Sequence, residues 1–202
     1  MSDHAAAIRG LPRWHRDPRV NATISRIRTH GWAVTAVSEE CECNSPECEP
    51  PDCSFAYTTG LGLHSLPELV VYGLDARTSG SVLNELGNLL HRYEWTDIVD
   101  QSVDVPLQSI DVSVRLIELI DKDDLIITNE LFPDSPALQV VWPDEYGQHP
   151  WEEGYALRPE HQLLKGVLPS DDNRPRGPRV ITPHTGPNRA QRRHTQRRKN
   201  RP

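Results

Sequence analysis

The sequence predicts an α+β fold: a curved, largely antiparallel sheet packed against one main helix, with a Cys-rich loop and a disordered basic tail attached. Three observations carry this. Apolar segments of strand length recur between residues 32 and 142, one segment alone carries a strong helical stripe, and the strands cluster around that segment instead of alternating with helices as βαβ units do.

Residues 1–20 are basic, hold prolines at 12 and 18 and lack sustained periodicity, so they read as an irregular arm. Asn21 caps a predicted helix over 21–30 with Ile24 and Ile27 on one side, and Gly31 suits the residue that ends it. Trp32 to Val37 is rich in β-formers and gives the first strand. Ser38 to Ser54, full of Cys, Glu and Pro, is a loop. Phe55 to Thr59 resumes strand chemistry, Gly60-Leu61-Gly62 breaks it, and Glu68 to Leu74 has the length and apolarity of an interior strand. Asp75 opens the main helix near 76–92, because Val82, Leu83, Leu86, Leu89 and Leu90 fall on one face. Val103 to Val105, Val112 to Ile120 and Leu138 to Trp142 supply further strands. In the second of these, Val112, Val114 and Leu116 point to one side, Ser113 and Arg115 to the other.

Charge divides the chain more sharply than composition does. Residues 1–30 carry +4, residues 31–173 carry -21 and residues 174–202 carry +10, which together give the net -7. Beyond Leu168 the only large aliphatics are Val180 and Ile181, too few to offset the entropy of ordering, so 169–202 reads as a disordered tail. No apolar run approaches the ~18 residues that span a bilayer, and Met1-Ser2-Asp3-His4 lacks a signal-peptide layout. Membrane, collagen-like and coiled-coil classes are excluded, and a cytoplasmic location is the expectation.

Two separated blocks carry a family resemblance. Phe55-Ala56-Tyr57-Thr58-Thr59-Gly60-Leu61, then Leu66-Pro67-Glu68-Leu69-Val70-Val71-Tyr72-Gly73-Leu74 and the helical Leu83-Asn84-Glu85-Leu86, resemble bacterial and phage proteins of domain-of-unknown-function family 4262. Leu138-Gln139-Val140-Val141-Trp142-Pro143-Asp144, Gly147, Pro150-Trp151-Glu152 and Gly154-Tyr155 are similar to that family's C-terminal signature. The resemblance runs from about His30 to Leu168 and implies one domain over 21–168, but no activity. Two features depart from it. Leu66 stands where relatives commonly have His before the Pro-Glu pair, with His64 two residues earlier, and the cysteine loop replaces a usually shorter connection.

All four cysteines, Cys41, Cys43, Cys48 and Cys53, lie within thirteen residues as C-x-C-x4-C-x4-C. Four thiolates on a short loop match a closed tetrahedral zinc site, and Pro46, Pro50 and Pro51 reduce the entropy lost on closing it. Such a site leaves no open position for water, so Zn2+ here is structural. Disulfides and free thiols are the competing states.

Acid-base candidates are His64, Glu68 and Asp144, with Tyr57, Thr58, Trp142 and Trp151 as pocket candidates and His149, Glu152 and His161 nearby in sequence. The competing expectation is structural: Asp144 ends a strand where Asp bonds its own backbone, and tryptophans are commonly core. No phosphate loop, G-x-S-x-G or His-Glu-x-x-His is present. In the tail, Arg189, Arg192, Arg193 and Arg197 recur at helical spacing and Arg198 follows, the pattern of a segment that contacts a polyanion such as nucleic acid, or an acidic protein surface. Neutralising the acidic body of its own or a neighbouring chain would use the same charges, and a solvated end with no partner is the third reading. The expectation is a non-catalytic binding or regulatory protein. The alternative is a small hydrolase or transferase using a His/carboxylate pair in a pocket between the two blocks.

Overall fold

The computed structural model of the protein describes residues 4–37 and 54–168. The four cysteines and the Arg-rich tail lie outside them. Six strands form one open sheet: β1 (Ala33–Val37), β2 (Phe55–Thr59), β3 (Glu68–Tyr72), β4 (Val105–Leu107), β5 (Val112–Glu118) and β6 (Ala137–Val141), in the spatial order β1-β2-β3-β6-β5-β4. The β3–β6 pair is parallel, with Glu68 opposite Ala137, and the other pairings are antiparallel. The fold is therefore the mixed α+β arrangement the sequence predicts.

The main helix α3 (Ala76–Leu90) starts where Asp75 accepts hydrogen bonds from the amides of Arg77 and Thr78, and Val82, Leu83, Leu86 and Leu90 are buried on its inner face. They pack with Ala56, Leu69, Val71, Val114, Leu116, Leu138 and Val140, the residues that strand alternation turns toward that side. Short helix α4 (Trp95–Asp100) adds Ile98 to the same layer.

The opposite face is also covered, so the sheet does not rest on one main helix alone. Helix α2 (Pro18–His30) and short helix α5 (Ile126–Leu131) bury Val20, Ile24, Ile27 and Ile127 against Ala33, Tyr57, Val70, Tyr72 and Ala137. Arg115, which alternation assigns to the side away from Val114, is likewise withdrawn from water, at 7% exposed.

Three local expectations are corrected. Helix α2 begins at Pro18, not Asn21, because the Asp17 side chain accepts from the Arg19 amide at 2.7 Å and Pro18 suits the first helical position. The arm is not irregular throughout. Its residues His4–Ala7 form helix α1, Ile8–Gly10 form a 3₁₀ turn, and Leu11 is buried in the second core, held there by Arg28 donating to the carbonyls of Leu11 and Pro12. Finally, α4 and α5 are not among the predicted elements. Among the described residues no helix is long and apolar enough to cross a membrane.

Candidate functional site

The first motif block builds a turn around one buried carboxylate. Strand β2 ends at Thr59, the chain makes a 3₁₀ turn over Leu61–His64, and Ser65 sits in the left-handed region at φ 62° before β3 begins at Glu68. Glu68 is fully buried. Its Oε1 accepts from the amides of Gly60 (2.8 Å) and Gly62 (3.0 Å), and its Oε2 from the Thr58 hydroxyl (2.7 Å), whose oxygen accepts in turn from the Leu69 amide (2.8 Å). Burial pushes the Glu68 carboxyl above its ordinary range, and the donors from Gly62, Thr58 and Gly60 oppose that push.

Beside this turn lies a cleft of about 580 Å³, walled by Leu66, Trp95 and Phe132 with Ser65, Asp134 and Ser135 as polar groups. The Ser135 hydroxyl crowds Gly62 on the same side as Glu68 Oε1. Leu66, the position where the family resemblance leads one to expect histidine, is one of its walls.

His64 belongs to a different cluster. Its ring Nε2 is 3.3 Å from the Gly31 carbonyl, and the ring stacks near His4 (6.1 Å between centroids) and meets His91 edge-on (5.2 Å). Burial pulls His64 below its usual range against the opposing Gly31 carbonyl, and burial plus His64 pulls His91 down likewise.

Asp144 lies at the other end of the sheet. Glu68 pairs with Ala137 at the start of β6, and the strand then runs about 13 Å, at ~3.3 Å per residue, before Asp144 follows it. Asp144 accepts from the amides of Tyr146 (3.0 Å), Gln148 (2.8 Å) and Ala156 (2.8 Å). Burial opposes its ionisation, but those amides prevail and hold the carboxyl below its ordinary range. Trp142 is likewise a packing residue, its indole N–H donating to the Tyr72 carbonyl at 2.9 Å. Glu68 and Asp144 thus flank opposite ends of β6, each bonded within its own loop.

The second block contributes a network that the sequence does not single out. Buried Arg115 donates to Asp104 (2.7 Å) and Glu152 (3.1 Å) and lies 5.9 Å from the Trp151 ring, which stacks on His149 at 5.3 Å. Glu152 also accepts from the His149 amide (2.8 Å). Asp104 and Arg115 are isolated charges in sequence, and only their meeting with Glu152 and Trp151 in the fold makes them important. Burial first, then the Arg115 charge, lower the His149 pKa.

This predicts an acid-sensitive fold. His64, His91 and His149 all bind protons more weakly when folded than when unfolded, where His titrates near about 6.5. Their contribution is therefore complete above that pH and declines as pH falls below it. Glu68, shifted the other way, counteracts them in part, so the informative comparison is between chains that share it. Urea unfolding at pH 7 and pH 5 should show a smaller loss for His149→Gln than for the parent; parallel losses would remove His149 from the account.

Architecture and site together define a small mixed α+β domain in which one loop of each motif block is organised by a buried carboxylate accepting backbone amides. Residues 26–156 match the family described as Domain of unknown function (DUF4262), and the chain belongs to that family. Comparison with curated proteins and with solved structures finds no match. Among the described residues no three or more His, Cys, Asp or Glu side chains are grouped to hold a metal ion.

Proposed function

We propose that the protein is a non-catalytic, cytoplasmic binding or regulatory protein. In this reading Cys41, Cys43, Cys48 and Cys53 hold a structural zinc ion, and the Arg-rich segment 174–202 contacts a polyanion or an acidic protein surface. One observation supports the binding role over the hydrolase or transferase alternative. Both candidate carboxylates already serve as turn anchors, Glu68 accepting two amides and a hydroxyl and Asp144 three amides, at opposite ends of β6. A general base needs a lone pair facing its substrate, and these are directed at the backbone.

Retention on an RNA or DNA column at low salt tests the tail. The full chain should be retained and elute as salt rises, while a chain lacking 174–202 should flow through. Equal retention of the two sinks the tail assignment. The same full-length preparation, purified without added metal, should carry about one zinc per chain for a single four-cysteine site, and a content near zero rejects the metal.

A further inference from the structure

A second cleft opens on the other side of β2 from α3, between the start of α2, strand β1 and helix α5. Its volume is about 530 Å³, within the ~300–1,000 Å³ usual for small-molecule sites. Tyr57, a pocket candidate from sequence, forms part of its floor with Val20 and Ile127, all at most 8% exposed. The Tyr57 hydroxyl oxygen accepts from the Ile127 amide at 3.3 Å, and the hydroxyl of Thr35, its cross-strand partner, lies beside it.

The charges at the mouth are unevenly engaged. Asp17 caps α2 through the Arg19 amide, and Glu130 pairs with His15 at 3.2 Å. The guanidinium groups of Arg16 and Arg19 are exposed and make no hydrogen bond or ion pair among the described residues. The rim also leaves apolar surface in water, Ile126 at 73% and Val37 at 38% exposure. A guanidinium presents a fork of donors that suits a carboxylate or similar oxyanion, and the apolar rim and floor suit a hydrocarbon body.

We propose that this cleft binds a small amphiphilic organic anion, its charged group held by Arg16 and Arg19 and its apolar body against Val20, Tyr57 and Ile127. The site is separate from the turn around Glu68.

The fluorescent probe 1-anilinonaphthalene-8-sulfonate, titrated into the full chain, tests this, with N-phenyl-1-naphthylamine as the same ring system without the anion. The anionic probe should bind saturably, and Arg16→Ala/Arg19→Ala should weaken it about tenfold or more, the scale of losing a charge-assisted contact. The neutral probe should bind both chains equally. Both arginines are exposed and unpaired among the described residues, so the variant should keep its circular dichroism spectrum, and both chains retain the Arg-rich tail. Unchanged affinity of the anionic probe in the variant, absence of saturable binding, or equal affinity of the parent for the two probes overturns the proposal.

Discussion

Glu68→Ala should lower the melting temperature by roughly 6–12 °C, from a loss of about 3 kcal/mol at roughly 2–4 °C per kcal/mol for a domain of this size. The cause is what the substitution leaves behind. The amides of Gly60 and Gly62 and the hydroxyl of Thr58 all donate to this carboxylate in a fully buried setting. Each orphaned buried donor costs about 1–3 kcal/mol, and removing a buried acid that was expensive to desolvate returns part of that. Glu68→Gln should be milder, since an amide oxygen still accepts from the two glycines, while its NH2 cannot accept from Thr58. Thermal unfolding of the three chains decides the matter. A Glu68→Ala protein melting within about 2 °C of the parent, less than 1 kcal/mol on the same scale, would show that the turn does not depend on this carboxylate, and would reopen an acid-base role for it.

The same residue illustrates what can be read from sequence. Glu68 is identifiable as unusual, an acid opening an apolar strand beside a glycine turn, but its role depends on Gly60, Gly62 and Thr58 folding back on it. Strand β2 and helix α3 are legible because their signals are local: β-branched and aromatic residues in Phe55–Thr59, and a leucine stripe behind the Asp75 cap. Helix α5 is not. Its Ile126-Ile127-Thr128 start favours a strand, and the helix is held by tertiary bonds: Thr128 donates to the Thr58 carbonyl at 2.9 Å and Ile127 N–H to the Tyr57 hydroxyl. The parallel β3–β6 pairing is hidden for a related reason, since a strand's own residues do not name its partner. Arg115 reads as a strand's outward residue because nothing nearby in sequence signals that Asp104, Glu152 and the Trp151 ring come together around it.

Gly73→Ala should cost more than Glu68→Ala, about 4 kcal/mol or roughly 8–16 °C. Gly73 ends β3 at φ +76°, and a Cβ there would stand 1.7 Å from the His161 carbonyl oxygen, inside any tolerable contact. Left-handed backbone costs a side chain about 1–2 kcal/mol, and overpacking adds about 1–3. The obstruction is backbone, so the segment after Arg158 must move, and that segment is well anchored. The Gln162 side chain bonds both the amide and the carbonyl of Trp142 at 2.9 Å, and Gln139 bonds the Leu163 carbonyl and the Lys165 amide. The family match ends at residue 156, yet residues 162–167 are bonded to β6 and to the end of β5 in this chain. Gly147 separates strain from contact. It has φ +79°, but a Cβ there would meet no atom within 4 Å, so Gly147→Ala should show the strain alone, about 1 kcal/mol. Limited trypsin digestion adds a structural readout, because displacement of the segment should speed cleavage after Lys165 in Gly73→Ala but not in Gly147→Ala. Equal melting temperatures for the two variants would mean that the His161 contact yields at little cost and the C-terminal segment is not fixed by Gly73.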